Sequence, residues 1–516
     1  MYFDNAIYWM DSPDRGRKRH YAAMLYKHTG MVPTTGGGRT FFEVLPSLAM
    51  IRGQVRDHFS WLHTDVASYT VYFNLNNPEH EIAKITPDEI QIMKNGGNED
   101  GIILDGSRKM KPLKFLPDAD LEEADRLLVD LLVGNMTCPQ GDRFLILSWL
   151  SCFLLIDFAG TRPMTRFEGS AGSGKTTASK ITSTLLYGEP QHKKATDAAN
   201  YTDGSQNPLI VLDNIEVKQM TEDLTTFMLT SITGIAKEKR KSGTDSETIT
   251  ERTKCLLNTT GIEPLCGELS EILSRSFVIN FDLANQASDC FLESEVISAI
   301  QQNRDLIISA IMKRTSHVLA MIRDGAQKQV MRLLHRTMPT HGKRRCNDYL
   351  SLMYLMMLAG SEEHEVTTGL EDLSPLFIEQ IHSINDTSQE MARESNPIAT
   401  ALASLFHAYQ NAVELDEKAR YGEDDRANHV VGFIERYQVR FENENTMEPV
   451  SAGRLLAALR RVGREFNLEF EYKKPAQLGR RISNDLDVIR DAGFDIDRQR
   501  NAHTKNFEYR ICHKSR

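Results

Sequence analysis

Cysteine is scarce in this chain, and histidine is not clustered. The 516 residues include seven cysteines with no C-x-x-C pair among them, and the fifteen histidines show no ligand spacing. Such cysteine usage is typical of a reducing compartment and argues against a zinc ribbon or a disulfide framework. The sequence therefore predicts no metal held by cysteine or histidine.

The sequence also lacks a long hydrophobic run. The longest one, from Phe144 to Phe158, has fifteen residues and includes Asp157, whereas a membrane-spanning helix needs about twenty apolar residues. We interpret this run as a buried helix. Because the amino terminus lacks the charged-then-apolar pattern of a signal peptide, we expect no membrane association and a cytoplasmic location.

Basic residues are in deficit overall but not at the carboxyl end. The net charge of −10 reflects 61 Lys and Arg against 71 Asp and Glu, which taken alone disfavours a nucleic-acid partner. From Ser451 onward, however, fifteen basic residues stand against nine acidic ones, which leaves 46 against 62 in the first 450 residues. A basic tail on an acidic body is a local electrostatic footprint for nucleic acid.

A glycine-rich loop precedes a helical stretch near residue 170. It matches the pattern G-x-x-x-x-G-K-[ST], in which backbone N–H groups surround an anion, the lysine reaches the outer phosphates and the hydroxyl binds Mg²⁺. Residues 165–168 can form the strand before the loop, and residues 177–186 the helix after it. We predict a nucleotide site formed by Gly169, Ser170, Ala171, Gly172, Ser173, Gly174, Lys175, Thr176 and Thr177.

A second apolar run ends in an acidic residue. Residues 208–214 (P-L-I-V-L-D-N) have the composition of a buried strand in a parallel sheet, whose carboxyl end carries the ligand chemistry. Asp213 follows Lys175 by 38 residues and can complete a Mg²⁺ site with Thr176. The alternative is a strand that merely stops at an Asp-Asn turn.

Two further candidates follow along the chain. Asn258 ends a strand predicted at Thr253–Asn258, where it can orient an attacking water or contact the γ-phosphate; capping of a turn is the alternative. Arg275 precedes a strand-like run, where an arginine can enter a neighbouring subunit's site. A solvated surface arginine is the alternative.

Basic residues also cluster between these strands. Together with Gly243 and the β-branched residues 248–250 they can form a hairpin with a basic tip, although a solvated charge run is the usual meaning of such a cluster. The cluster consists of Lys237, Lys239, Arg240 and Lys241.

The sequence of the amino-terminal part allows predictions of secondary structure but not of function. Leu45–Trp61 can be a helix, and Thr70–Asn74, Glu81–Ile85 and Gly101–Leu104 read as strands of a small antiparallel unit. Residues 296–320 and 326–360 have sequences typical of helices. The latter stretch has a basic face, which core support or solvation explains at least as often as DNA contact does. Its members are Lys328, Arg332, Arg336, Lys343, Arg344 and Arg345.

The carboxyl-terminal sequence predicts the element order of a winged helix. Apolar residues at helical spacing mark two helices, at 455–466 and 478–489, and the runs 494–500 and 507–511 flank a polar turn as in a β-hairpin. Winged helices bind DNA or a protein partner. The predicted DNA contacts are Arg480, Arg481, Arg498 and Arg500.

Taken together, these residues resemble the AAA+ ATPases of the superfamily III helicase type, in particular the primase-associated helicases of phages and mobile elements. Five segments between Leu121 and Leu319 carry the likeness in the family's order. They are E-G-S-A-G-S-G-K-T-T (motif A), L-I-V-L-D-N-I-E (motif B), I-T-G-I-A-K-E-K-R-K (pore hairpin), C-L-L-N-T-T-G-I (sensor) and L-S-E-I-L-S-R-S-F (arginine finger).

The resemblance implies a role for each matching residue. Lys175 and Thr176 would bind phosphate and Mg²⁺, and Asp213 would complete the metal site. Asn258 would be the sensor and Arg275 the finger that acts in trans. The residues that would face DNA are Lys237, Lys239, Arg240 and Lys241.

One position departs from the general AAA+ pattern. Asn214 follows Asp213 where many members have a glutamate that serves as general base. Because an asparagine cannot accept a proton, it can only position the water. Glu216, two residues further on, is the candidate substitute, and slow hydrolysis is the other possibility.

The expected architecture is an α/β fold with four regions. They are a small N-terminal α+β region (1–115), a P-loop AAA+ ATPase core (116–320), a helical collar or lid (321–430) and a basic C-terminal winged-helix domain (431–516).

The implied function is an ATP-dependent DNA helicase or translocase. It would hydrolyse ATP with Mg²⁺ in a homo-oligomeric ring, a hexamer, during phage or mobile-element replication. The alternatives are a nucleotide-gated assembly switch or loader that recruits a partner, and a DNA-binding protein whose nucleotide site only stabilises the fold. No primase pattern precedes the ATPase region, so any primase partner is expected on another chain.

Overall fold

The computed structural model describes sixteen segments of the chain. None of the helices within them is long and apolar enough to cross a membrane. The segments are residues 2–3, 6–7, 15–32, 34–52, 58–191, 197–216, 219–240, 248–262, 270–286, 292–337, 343–360, 373–383, 396–421, 428–466, 472–501 and 507–514.

Two helices follow a short strand pair at the amino end. Buried residues of the first helix pack against Phe41, Phe42 and Leu45 of the second. The helix predicted for Leu45–Trp61 is thus displaced: it begins at Gly36 and ends at Arg52, and Trp61 follows a strand. The elements are β1 (Tyr2–Phe3), β2 (Ala6–Ile7), α1 (Arg15–Thr29) and α2 (Gly36–Arg52).

An antiparallel sheet with strand order β4-β5-β6-β7 comes next. It confirms the strands predicted at Thr70–Asn74 and Glu81–Ile85, and adds one strand on either side, Leu62–Asp65 and Ile90–Lys94. The prediction for Gly101–Leu104 was wrong in placement, because only its last two residues form a strand, which pairs parallel with β3. The strands are β3 (His58–Phe59), β4 (Leu62–Asp65), β5 (Thr70–Asn74), β6 (Glu81–Ile85), β7 (Ile90–Lys94) and β8 (Ile103–Leu104).

Two helices precede the central sheet. Helix α3 (Leu121–Leu128) is capped by the Asp120 carboxylate and continues as a π-helical turn over Val129–Val133. Helix α4 (Gln140–Ser151) holds the first part of the apolar run that begins at Phe144. The run is mostly buried, as predicted, but two 3-10 turns, Cys152–Leu154 and Ile156–Phe158, replace the helix in its second part.

The central sheet is parallel, with strand order β10-β13-β9-β14. Its strands are almost entirely buried, as continuous apolar runs in parallel sheets usually are. In the chain between β10 and β13, strands β11 and β12 pair antiparallel in a sheet of their own, which confirms the predicted hairpin. The elements are β9 (Met164–Glu168), α5 (Lys175–Tyr187), α6 (Asp197–Gln206), β10 (Leu209–Leu212), α7 (Glu222–Thr233), β11 (Ala236–Arg240), β12 (Thr248–Arg252), β13 (Leu256–Gly261), α8 (Ser270–Leu273) and β14 (Ser276–Asn280).

Strand β13 begins three residues later than the sequence predicts. Its polar residues Asn258, Thr259 and Thr260 are nonetheless buried. The shift places Asn258 in the middle of the strand and brings Thr260 close to its carboxyl end.

Long helices pack beside this sheet, as the helical texture predicts. They are α9 (Glu293–Arg323), α10 (Ala326–Thr337) and α11 (Asn347–Leu358), and residues 375–383 are also helical. Helix α10 buries Val330, Leu333 and Leu334 and leaves its basic residues outside.

The carboxyl-terminal region combines five helices with an antiparallel sheet of order β15-β16-β18-β17. The predicted hairpin is confirmed by β17 and β18, and the second predicted helix divides at Asp485. The elements are α12 (Pro397–Tyr421), α13 (His429–Tyr437), β15 (Phe441–Asn443), β16 (Thr446–Ser451), α14 (Ala452–Glu465), α15 (Pro475–Asn484), α16 (Leu486–Asp491), β17 (Phe494–Arg500) and β18 (Phe507–His513).

The hydrophobic clusters do not separate at the region boundaries expected from the sequence. One cluster joins residues from Trp61 to Ile381, so the core crosses position 115. The Trp61 indole also donates to the Lys254 carbonyl oxygen over 3.1 Å. Another cluster runs from Ile398 to Ile511, which places α12 with the carboxyl-terminal sheet rather than before a boundary at residue 430.

Candidate nucleotide-binding site

The loop between β9 and α5 has a backbone that only glycine tolerates at its two ends. Gly169 and Gly174 have φ values of 144° and 96°. A β-carbon at Gly169 would lie 2.2 Å from the Phe281 carbonyl oxygen, and one at Gly174 would lie 2.5 Å from Thr137 Oγ1. Since α5 begins at Lys175 without a side-chain cap, its first N–H groups remain available to an anion.

Lys175 is folded back onto this loop. Its ammonium donates to the carbonyl oxygens of Gly169 (2.7 Å) and Ser170 (2.6 Å) and to Ser173 Oγ (3.2 Å). Burial lowers the pKa of Lys175, an effect that the negative charges of Glu216 and Asp213 oppose. The lysine therefore lies in the loop, where its charge faces two carboxylates.

Asp213 joins the helix after the loop to the neighbouring strand. Its Oδ1 accepts hydrogen bonds from Thr176 Oγ1 (3.2 Å) and from Thr260 Oγ1 (2.7 Å). Thr260 Oγ1 also accepts from the backbone N–H of Asn214 over 2.8 Å. The sequence analysis did not identify Thr260. The feature that could have indicated it is a polar residue close to the end of a buried strand that lies beside β10.

The oxygen atoms gathered here suit a hard cation. Thr176 and Asp213 offer a hydroxyl and a carboxylate, which is the donor chemistry of Mg²⁺ sites that share the ion with substrate phosphates. Among the described residues, no group of three or more His, Cys, Asp or Glu side chains could hold a metal by itself. The residues present thus fit a phosphate-bound ion.

The two candidates for the general base differ in geometry. Asn214 is exposed and has a φ of 56°, a left-handed conformation that asparagine tolerates better than most residues. Glu216 Oε1 accepts from the Ile262 backbone N–H over 2.8 Å, and its charge acts on Lys175. Of these two residues, only Glu216 carries a group that can accept a proton.

A buried arginine connects the strand before the loop to the neighbouring strand ends. Arg166 is fully buried on β9; its Nε donates to Glu168 Oε1 over 3.1 Å, and its Nη1 to the carbonyl oxygens of Ile215 (2.8 Å) and Thr260 (3.0 Å). These contacts join the carboxyl ends of β9 and β13 to the segment after β10.

Asn258 lies deeper in the sheet than its predicted role requires. Its side chain accepts from Ser179 Oγ (2.7 Å) and donates to Thr165 Oγ1 (2.8 Å), and the residue is 1% exposed. In this structure Asn258 therefore connects α5 to β9 and does not reach the loop. Thr260, two residues further along the same strand, is the one that contacts Asp213.

Arg275 lies at the opposite end of the sheet from the loop. Its carbonyl oxygen accepts from the backbone N–H of Met164, the first residue of β9, whereas the loop follows the last. Five strand residues span about 15 Å, so the side chain does not reach the site of its own chain. Its guanidinium instead pairs with Glu271 over 2.9 Å.

Helix α9 is fastened to the first turns of α5. The Glu293 carboxylate accepts from Thr177 Oγ1 (2.5 Å) and pairs with Lys180 Nζ (2.7 Å). Thr177, predicted as part of the nucleotide site, thus faces the helical region in this structure.

The predicted DNA contacts are distributed over two regions. Lys237, Lys239 and Arg240 lie on β11, and Lys241 lies outside the described residues. In the carboxyl-terminal region, Arg480 and Arg500 are exposed, and the Arg498 guanidinium lies 3.6 Å from the Phe507 ring centre.

The prediction that Arg481 faces DNA is not what the structure shows. Its Nε pairs with Asp485 Oδ2 over 2.7 Å, and the side chain is 16% exposed. Asp485 is 2% exposed and also accepts from Asn396. A buried carboxylate needs such a partner, so Arg481 is held in the fold.

Comparison with known proteins identifies the fold only. No protein-family model and no curated protein matches the chain. Among solved structures, "SCCmec type IV Cch - active helicase" aligns with a TM-score of 0.50 at 11% identity, covering 92% of this chain and 84% of that one. "The apo structure of NrS-1 C terminal region (305-718)" aligns with a TM-score of 0.39 at 13% identity, covering 96% of this chain and 90% of that one.

The chain therefore has a mixed α/β fold with a parallel sheet, similar to that of a helicase. This confirms the expected fold class at that level.

Proposed function

We propose that this chain is an ATP-dependent DNA helicase or translocase whose ATP sites are completed between neighbouring subunits of a ring. The observation that carries the proposal is the meeting of the glycine loop, Thr176 and Asp213 at one edge of a parallel sheet. Ligands of open α/β sheets bind at this carboxyl edge. The arrangement supports a P-loop ATPase core of the AAA+ type.

The loop and α5 would hold the phosphates. The backbone N–H groups after Gly169 and the positive end of the α5 dipole attract the anion. Lys175 would exchange its contacts with the loop carbonyls for the outer phosphates. Burial lowers the pKa of Lys175, and an anion in the loop would raise that pKa again.

Thr176 and Asp213 would hold Mg²⁺ in this scheme. The ion, when bound, neutralises charge on the phosphates. Thr260 would act as a positioning residue, since its hydroxyl fixes the Asp213 carboxylate from the neighbouring strand. Asn258 would support the same strand from inside the sheet.

Glu216 is the proposed general base. It can take the proton of the attacking water, whereas Asn214 can only orient that water. Its Oε1 accepts from Ile262, which would hold the carboxylate at the edge of the site.

Arg275 would stabilise the transferred phosphate of a neighbouring subunit. Its position at the amino end of β14 keeps it from the loop of its own chain, and to meet another copy its side chain, 14% exposed, would have to exchange its pairing with Glu271 for the neighbour's phosphate. A finger in trans requires such a position, and it makes a ring, for which six subunits are proposed, the working unit.

DNA would contact the β11–β12 hairpin and a carboxyl-terminal winged-helix domain. The helices α14 and α15 followed by the β17–β18 hairpin support that assignment. Arg480, Arg498 and Arg500 remain the proposed contacts there. We place the activity in phage or mobile-element replication, with any primase as a separate partner.

Hydrolysis of ATP with and without single-stranded DNA tests the proposal. We expect DNA to stimulate hydrolysis in the full chain and Lys175→Ala to abolish it, while the exposed control Lys94→Ala retains it. DNA binding without turnover would refute the motor. It would favour a nucleotide-gated switch or loader, which Asn214 in place of a carboxylate already makes the second candidate.

A further inference from the structure

We infer that the exposed face of α10 binds the phosphate backbone of nucleic acid. This face borders a groove with a volume of about 550 Å³, here called the α10 groove. Its lining residues are Lys328, Met331, Arg332, His335, Arg336 and Asn347.

The lining residues of the α10 groove include basic side chains and no acidic one. Residues 326–347 include six Lys and Arg and no Asp or Glu, in a chain whose net charge is −10. Lys328, Arg332 and Arg336 are exposed, and within the described part of the chain none of the three forms an ion pair. By contrast, Arg323 at the end of α9 pairs with both Asp88 and Asp324.

Helical spacing aligns these charges. Positions 328, 332 and 336 are four residues apart, so they form one row along the helix, with about one turn between successive cations. The opposite side of α10 is buried. A row of exposed cations attracts a repeating anion, and a nucleic-acid backbone is such a ligand.

Asn347 adds a second, independent feature. It is 7% exposed, lines the α10 groove, and its Oδ1 accepts no hydrogen bond from any described residue. A buried acceptor usually has a donor, and a ligand in the α10 groove can supply it. A nucleotide supplies one through the N–H groups of its base, whereas inorganic polyphosphate has none, so this feature favours nucleic acid over other polyanions.

The α10 groove also lies near the base of the β11–β12 hairpin. Gln327 Nε2 on α10 donates to the Phe158 carbonyl oxygen over 3.2 Å, and Asp348 Oδ2 accepts from the backbone N–H of Thr161 over 2.9 Å. The next residue, Arg162, is bonded through its backbone to Ile232, just before the hairpin. A strand that contacts the hairpin can therefore continue along α10; this part of the inference rests on the proposed function.

Binding of a labelled single-stranded DNA oligonucleotide to the full chain, without nucleotide and over a range of salt concentrations, tests the inference. The variant is Lys328→Ala/Arg332→Ala/Arg336→Ala. The control, Arg39→Ala/Lys94→Ala/Arg323→Ala, removes the same charge from exposed residues elsewhere. We expect the α10 variant to bind at least about tenfold more weakly, with a salt slope reduced by about 2 because single strands lose about 0.7 per phosphate contact.

The variant Asn347→Leu tests the contribution of the Asn347 acceptor to DNA binding separately from that of the basic residues. It should weaken binding of the oligonucleotide severalfold with an unchanged salt slope, and it should leave binding of inorganic polyphosphate unaltered.

Equal DNA binding by the two triple variants would overturn the inference. A changed sedimentation coefficient of the α10 variant with unchanged DNA binding would also overturn it, since the face would then be a subunit contact. Basal ATP hydrolysis, measured in parallel, distinguishes failure of this inference from failure of the proposed function. If the unaltered chain does not hydrolyse ATP, the proposed ATPase is refuted, whereas weaker DNA binding by the α10 variant would still support the α10 groove. Retained hydrolysis in the α10 variant shows that it is folded.

Discussion

Thr260 Oγ1 donates to Asp213 Oδ1 over 2.7 Å, a shorter contact than the one from Thr176 Oγ1 at 3.2 Å. The same hydroxyl accepts from the Asn214 backbone N–H. One side chain of β13 thus fixes both the carboxylate proposed for the metal and the backbone of the residue after it.

Replacing this hydroxyl should impair the site without unfolding the chain. Thr260→Val keeps the shape but removes the bond to Asp213, so we expect ATP hydrolysis to fall about tenfold or more, in keeping with the loss of one or two kcal/mol of positioning. Thr259→Val is the matched control. Its Oγ1 is buried and has no hydrogen-bond partner in the described structure, so this change should leave activity intact and stability equal or higher. Equal activity of the two variants would refute a role for Thr260.

The assignment of the general base predicts a contrast between two neighbours. Glu216→Gln should lower the turnover number by about a hundredfold, the usual range for losing a general base, with nucleotide binding retained. Asn214→Gly should retain most turnover, because glycine accepts the φ of 56° at no steric cost. Single-turnover hydrolysis and nucleotide binding measure both. A larger loss in Asn214→Gly would reverse the assignment.

The loop glycines should differ in their tolerance of alanine. A β-carbon at Gly169 would meet the Phe281 carbonyl oxygen at 2.2 Å, whereas one at Gly172 has no atom within 4 Å, although φ there is 81°. Gly172→Ala should therefore cost only the left-handed strain of about 1–2 kcal/mol. Gly169→Ala should cost more and abolish nucleotide binding. Chemical denaturation and nucleotide titration provide the comparison, and equal costs would contradict the loop geometry.

Asp142, in the first turn of α4, predicts a pH dependence of stability. Burial raises its pKa from 3.8 to about 6, so the folded state holds the proton more tightly than the unfolded state between these values. Stability should then decrease as the pH rises through about 4 to 6. Asp142→Asn should be more stable than the unaltered chain by about 2 kcal/mol at pH 8, allowing for partial solvent screening. This gain should vanish near pH 4; a constant difference would contradict it.

Local patterns in the sequence predicted the elements that position the site. The glycine loop, the strand ending at Asp213 and the basic hairpin each depend on neighbouring residues, and periodicity or turn chemistry reveals them. Arg275 was also placed correctly just before a strand. That it lies at the far end of the sheet from its own loop follows only from the parallel pairing of β9 with β14.

Features that depend on contacts between distant segments were not predictable. Asn258 and Thr260 look alike in sequence, and only the register of β13 decides which one meets Asp213. Arg481 looked exposed because its partner, Asp485, is a polar residue that the fold buries. The cores extend across the expected boundaries because residues far apart in the chain pack in the same cluster, as Trp61 does with Phe153.

The central claim, that ATP sites are shared between subunits, is tested most directly by mixing two inactive variants. Lys175→Ala lacks the phosphate lysine but offers Arg275, and Arg275→Ala has the reverse defect. Random assembly of equal amounts should complete about a quarter of the sites of a cyclic ring. The control mixture pairs Lys175→Ala with the double variant Lys175→Ala/Arg275→Ala, which can complete none. Recovered ATP hydrolysis in the first mixture alone is the predicted result, and no recovery from two variants that still assemble would contradict the shared site.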